Sequence, residues 1–423
     1  MRRMILPLML LAVAVAVGSC ESGSTLVWDG AVRDSAGIQV VENFGTPLWK
    51  EGEGWEFTEV LRIGVADGAP EYEFGEITGL AVLSDRRVVV ADALGHHLRF
   101  FSPEGIYERS VGTAGSGPGE FGSGRLRLHQ GPGDTLVVWD QGNRQGHTFA
   151  PDGAWLGSFS TLPRNGYNNP RMLDNPQTGS LVSQALPRAE ASDPRSIALL
   201  RDVHGAILDT VARVGGPERF TEQGDVTLTH YYRVIDLTLC CGVLVTRHSD
   251  ESRLLWYELD GTLSRIVSLA REPLAMTDED QSVLIQQLEH QWRGSSPERV
   301  ARGKSRIRFE SNYPPYRYLR GGPAATLLAQ QVRPFRDLDA DERSRLVVDL
   351  WLLPLGSSRW DVFDREGRYL GAAVLPGSDA RGLSLIRFVQ DLTNGAWYMY
   401  SVWRDEDEVD YVVAWRIDGP MPG

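Results

Sequence analysis

Short apolar runs, each cut from the next by turn residues, recur along most of this chain. The clearest group lies in Glu76–Phe121, where Ile77–Val82, Val88–Ala91, Leu98–Phe101 and Ile106–Val111 are separated by Ser84-Asp85, Gly95 and Pro103-Glu104-Gly105. Runs rich in Val, Ile, Leu and Phe between such breakers read as strands. Four in succession read as an antiparallel meander, of about the 40–50 residues that make one blade of a propeller.

A slower period runs through the rest of the chain. A glycine follows a polar residue at Glu104-Gly105, Asp152-Gly153, His204-Gly205, Asp260-Gly261, Glu366-Gly367 and Asp418-Gly419. The interval stays near one blade length except between Gly261 and Gly367, where it doubles. Glycine there supplies the positive φ of a tight hairpin. Six markers predict six blades. The second runs over Leu126–Ser160, the third over Met172–Val214 and the fourth over Tyr232–Leu269. The fifth is expected over Val332–Val374, with Arg345–Leu353 and Arg359–Phe363 as its middle strands. The sixth begins near Leu383 and contains Ala396–Trp403 and Asp410–Ile417, with no apolar run after Gly419 to complete it.

An open blade would leave an unpaired edge. Phe57–Ile63 is a spare strand near the other end of the chain and is expected to complete the sixth blade, while Gly37–Asn43 reads as an earlier strand. The expected fold is therefore all-β, a six-bladed β-propeller over residues 37–423 closed by an N-terminal strand. The doubled interval holds a small helical insertion between blades four and five, at residues 274–304. Thr277-Asp278-Glu279-Asp280 supplies an N-cap and capping box, and Leu284, Leu288 and Trp292 form one stripe of an amphipathic helix. The insertion either roofs the propeller face or packs beside blades four and five.

The first meander resembles an NHL-type repeat. The matching residues are Ala91-Asp92, Gly95-His96-His97, Phe100-Phe101, Glu104-Gly105 and Gly117-Pro118-Gly119-Glu120-Phe121. Gly95 stands where that family has Asn, and His97 where it has Arg. The resemblance implies a six-bladed propeller in which the His96-His97 turn makes structural hydrogen bonds. Asp92 and Asp140 end equivalent second strands, and Asn143-Arg144 repeats the turn. Recurrence by blade points to a framework role.

The N-terminus changes the picture of where the chain resides. Arg2 and Arg3 precede the apolar stretch Leu8–Val17, which is too short to span a bilayer stably. Val17-Gly18-Ser19-Cys20 resembles a bacterial lipobox. That resemblance implies a signal peptide at 1–19, lipidation at Cys20, a tether over 20–36 and, with Glu21 after the cysteine, an outer-membrane address facing the periplasm. Several acyl chains would anchor the protein firmly to the membrane. The formal net charge of −13 disfavours nucleic acid as a partner. Cys240 and Cys241 are adjacent. Neighbouring side chains of a strand point to opposite faces, so the simpler expectation is two buried thiols, the alternative a vicinal disulfide.

No catalytic motif emerges. Gly112–Gly124 lacks the Lys of a nucleotide loop and leads into a strand, so it reads as a blade-to-blade turn. There is no G-x-S-x-G elbow and no HxH or HExxH spacing for a metal. Similarity to lactonase-like propellers, which gather acidic and amide side chains on the central axis, would draw on Glu76, Asp236 and Asp337. The acidic run Asp405–Glu408 reads as a solvated hairpin tip and leaves calcium open as a cofactor. Of the twelve Trp, Trp139, Trp155, Trp256, Trp351 and Trp415 are expected between blades; Trp49, Trp55 and Trp292 are freer to face a ligand, although core packing is the simpler expectation for them too. The expected function is a lipid-anchored binding or scaffold module for an envelope protein or glycan. The alternative is a metal-dependent lactonase-like hydrolase or lyase.

Overall fold

The computed structural model describes residues 27–422 except 161–166, 174–180, 188–195, 203, 215–220, 223–224, 227, 230–235, 248–251, 306, 347–354 and 378–384. Six sheets of meander type form a β-propeller. The first blade comprises Ile77–Val82, Val88–Asp92, His97–Phe101 and Tyr107–Val111, and the second Leu126–Gln130, Leu136–Asp140, Gln145–Phe149 and Trp155–Ser160. In each, all five residues of the second strand are buried, whereas Tyr107–Val111 alternates between half-buried and exposed positions. Middle strands are covered on both faces by neighbouring blades; outer strands have one wet face. All six marker glycines have φ between +79° and +128°.

Blade three consists of Tyr167–Leu173, Leu181–Pro187, Ser196–Arg201 and Ile207–Val214; blade four runs from Asp236–Cys240 to Leu263–Leu269. Blade five differs from expectation. Its strands are Tyr316–Gly321, Leu327–Arg333, Leu355–Phe363 and Tyr369–Val374. Arg345 ends a short helix, and 347–354, with Trp351, lie outside the described residues. The missed hairpin turns through Ala324 and Ala325, both at positive φ, where glycine would have been the expected signal.

Blade six contains Arg387–Gln390, Trp397–Arg404 and Asp410–Asp418, and its fourth strand is Glu56–Ile63, antiparallel to Asp410–Asp418. Ahead of that strand, Gly30–Ser35 and Ile38–Asn43 form a hairpin, the latter strand running parallel to Leu263–Leu269. Residues 30–35 are therefore sheet, where a tether was expected; the Ala36-Gly37 turn, with both φ positive, folds them back. Asn43 fixes the junction. Its amide donates to the Ser268 and Gly367 carbonyls, and its carbonyl accepts from Trp28 Nε1 and Tyr369 N. Trp49 and Trp55 are buried against blade-five and blade-six residues including Trp360 and Met399. Core packing, the simpler expectation for both, holds because the N-terminal segment crosses the seam between those blades. Trp155, by contrast, is 41% exposed on an outer strand.

The insertion forms helices α1 (Asp278–Gln291) and α2 (Pro297–Ser305). Thr277 caps α1, with Asp280 completing the capping box. Leu284 and Leu288 pack with Val332 of blade five's second strand and with Phe335 and Leu338 of the segment that follows it. The Asp280 carboxylate also receives the Arg336 backbone N–H and guanidinium, so one buried group joins the insertion to blade five.

Candidate functional site

The repeated residues of the first two blades form equivalent structural locks. Asp92, buried at the end of its strand, accepts from the Gly75, Glu76 and Gly95 N–H groups. Asp140 likewise accepts from Gly122 and Asn143 N–H groups. His96 and Arg144 occupy the same left-handed turn position, with φ of 54° and 55°. Asn143 donates to the Gly115 carbonyl, and a His96 ring nitrogen lies 3.1 Å from the Gly122 carbonyl oxygen. His97 Nε2 accepts from Arg99 Nε at 2.7 Å. Burial and then the Arg99 charge hold the His97 pKa below its ordinary value, so this ring is a neutral acceptor.

Glu76, Asp236 and Asp337 are not brought together. Asp236 accepts from the Leu319 N–H between blades four and five, and Asp337 lies beside the insertion. Among the described residues, no group of three His, Cys, Asp or Glu side chains could hold a metal ion. Trp292 is half-buried, with its ring against Gly303 of α2. Cys20 lies outside the described residues.

Two cavities lie elsewhere. One of about 740 Å³ lies between blade five and the segments 271–274 and 310–316 that flank the insertion. Behind it, the fully buried Asp361 pairs with Arg271 at 2.6 Å and accepts from Gln331 at 2.8 Å and Tyr369 at 3.3 Å. Burial, followed by the Asp361 charge, pushes the Tyr369 phenol up to about 12 and Tyr316 well above its ordinary value. Both phenols remain protonated donors around a compensated carboxylate, an arrangement suited to joining blades.

The other cavity lies on the axis. It measures about 380 Å³ and is lined by the first strands of blades one, two, four, five and six. Each of these is an innermost strand with one paired neighbour, so a backbone edge borders the channel. Arg127, Arg320 and Arg387 line it, together with Gln130, Gln390 and Trp397. Arg387 Nη2 donates to the Leu128 carbonyl at 3.3 Å, reaching from blade six to blade two. Asp134 is the one carboxylate in the described lining, and it is occupied by Ser84 N–H, Ser84 Oγ and Gln130 Nε2.

Cys240 and Cys241 also line this cavity, and they form a vicinal disulfide rather than two thiols facing apart. The first strand of blade four ends at Cys240, and Cys241 turns to φ 59°, so strand alternation no longer separates the sulfurs. Their Sγ atoms lie 3.1 and 2.9 Å from the Thr326 and Ala325 carbonyl oxygens. The arginines went unnoticed in sequence, although Leu126-Arg127-Leu128, Leu319-Arg320 and Ile386-Arg387-Phe388 each set a guanidinium beside apolar neighbours.

The fold and cavity define a six-bladed β-propeller with an axial chamber. No family model and no curated protein match the chain. Among solved structures it is similar to a DUF4221 family member from Bacteroides vulgatus, at 10% identity over 88% of this chain and 100% of that one, TM-score 0.49. A Bacteroides fragilis protein described as exported has 11% identity over 90% of this chain and 99% of that one, TM-score 0.47. A streptogramin B lyase has 10% identity over 86% and 98%, TM-score 0.40. These likenesses carry no information about what this chain binds.

Proposed function

We propose that this protein is a ligand-binding propeller of the bacterial cell envelope, held to the membrane by lipid at Cys20 and binding a glycan unit in its axial chamber. The observation that carries the reading is the chamber itself. Its volume of about 380 Å³ falls within the roughly 300–1,000 Å³ usual for small-molecule sites. Guanidinium, amide and backbone donors border it, with Trp397 and the disulfide as apolar surfaces. Directional donors beside an aromatic face suit a sugar ring. In this reading Glu56–Ile63, paired with Asp410–Asp418, is the clasp of the ring, keeping the chamber's wall intact from the N-terminal side.

The test is calorimetry and thermal melting of the protein with saccharides. Saturable binding with a rise in Tm supports the reading, and loss of that rise in Trp397→Ala would place it in the chamber. Heat and Tm unchanged across the panel would refute the ligand assignment. Anchorage is tested separately: Cys20→Ala is expected to move the protein from the membrane to the soluble fraction, and an unchanged membrane fraction would contradict lipidation.

A further inference from the structure

We propose that the Cys240–Cys241 disulfide controls the axial chamber through its redox state. Oxidised, it fixes the chamber wall at the seam of blades four and five; reduced by a dithiol, it releases that wall and weakens ligand binding. The inference rests on the binding reading above and names how that site is regulated.

Cys240 pairs with Val243, so the first hairpin of blade four turns through Cys241 and Gly242 alone, with φ of 59° and 81°. Positive φ at both central residues belongs to the tightest hairpin turns. Glycine adopts it freely, whereas a residue with a side chain does so at a cost. The bridge ties the Cys241 side chain to Cys240, the last residue of the preceding strand, which is 5% exposed. In the oxidised form a covalent bond therefore holds the turn in addition to its strand pairing.

Across the seam stands a second turn with left-handed residues. Blade five passes from Tyr316–Gly321 to Leu327–Arg333 through Ala324 and Ala325, at φ of 50° and 54°. The Ala325 and Thr326 carbonyl oxygens are the ones that meet the sulfurs of Cys241 and Cys240, at 2.9 and 3.1 Å. The strands leading into the turns are equally close: a Cβ on Gly321 would come within 2.9 Å of the Leu239 carbonyl oxygen. Leu239, Cys240, Cys241, Gly321 and Ala325 all line the chamber. A shift at this seam is thus a shift of the wall itself.

Reduction is a thiol–disulfide exchange. Cys241 is half-buried and Cys240 buried, so attack falls on Cys241. A thiolate of the reductant bonds to Cys241 Sγ, the bridge breaks, and Cys240 leaves as a thiolate that takes up a proton. The second thiol of the reductant then displaces Cys241 from the mixed disulfide. Two electrons and two protons pass to the protein, and the reductant leaves as its own disulfide. The freed sulfurs no longer stay at bonding distance, and each becomes an S–H donor facing a blade-five carbonyl. An oxidising compartment keeps the bridge closed by default.

The experiment is hydrogen-exchange mass spectrometry on the full protein before and after dithiothreitol, with calorimetry of galactose and glucose on both forms. The chain has three cysteines, so with this pair bridged the reductant has no second disulfide to open within it. Amides of residues 236–247 and 316–333 are expected to exchange at least about fivefold faster after reduction, with blades one and two unchanged. Removing the reductant and reoxidising is expected to restore slow exchange. A sugar bound by the oxidised form is expected to bind about tenfold more weakly to the reduced one. The double variant Cys240→Ala, Cys241→Gly, in which glycine accepts the turn, is expected to show no response to dithiothreitol. Should it fail to fold, the reoxidation arm on the wild type takes its place. Equal exchange in the two forms, no recovery on reoxidation, or a response that persists in the double variant would overturn the control. Equal sugar affinity in the two forms would also overturn it and leave the binding reading standing. Binding of neither sugar to the oxidised form would count against the binding reading alone, because the exchange rates still decide whether reduction releases the wall.

Discussion

Arg387, on the first strand of blade six, donates from Nη2 to the Leu128 carbonyl on the first strand of blade two, passing blade one across the channel. An innermost strand has no neighbour on its axial side, so its outward carbonyls need water, a side chain or a ligand. Arg387 meets one of them and ties blade six to blade two across the channel.

The pairing of Glu56–Ile63 with Asp410–Asp418 has a thermodynamic consequence. Ile63, 1% exposed, packs with Val412 and Ala414 of blade six and with Ile77 and Leu80 of blade one. Ile63→Ala is expected to cost about 2–5 kcal/mol, as for other buried large-to-small changes. Urea unfolding measures it. A loss below about 0.5 kcal/mol, the scale of an ordinary surface substitution, would show that the strand contributes little to the ring.

His147 predicts an acid-side weakness. Its ring is fully buried with its centroid 5.5 Å from that of Phe121, and neither nitrogen has a hydrogen-bond partner among the described residues. Burial holds its pKa below the ordinary 6.5, with Asp140 opposing the shift. A depressed folded pKa means that the unfolded chain takes up the proton first. The associated stability is complete above pH 6.5 and declines as pH falls below it, by at most about 1.4 kcal/mol per pH unit for one group. His97 is shifted the same way. His147→Leu should therefore flatten the acid slope without abolishing it. An unchanged slope in unfolding curves between about pH 7 and 5 would contradict this assignment.

The cysteine pair gives a chemical test. Protein denatured without reductant is expected to show no alkylation in the peptide carrying Cys240 and Cys241, and two alkylations after reduction. Two alkylations without reductant would contradict the bridge.

These elements were unequally legible in sequence. Blades one, two and four stand out because apolar runs alternate with glycine and proline turns, and the chain meets the same hairpin geometry at Gly105, Gly153 and Gly261. Blade five hid its first hairpin. Leu327-Leu328-Ala329-Gln330-Gln331 has the composition of a helix, and burial between blades overrides that preference. The α1 cap and stripe were readable because both are local. The chamber was not, since Arg127, Arg320 and Arg387 lie in separate blades and meet only when the ring forms. Asp92 and Asp140 were assigned to the framework from their repetition, and their hydrogen bonds to loop N–H groups are what makes them repeat.

The most direct measurement is calorimetric binding of saccharides to the wild type and to Trp397→Ala, with thermal melting alongside. The account predicts saturable binding and a rise in Tm in the wild type, both lost in the variant. Unchanged heat and Tm across the saccharides, or binding that survives the loss of Trp397, would contradict it.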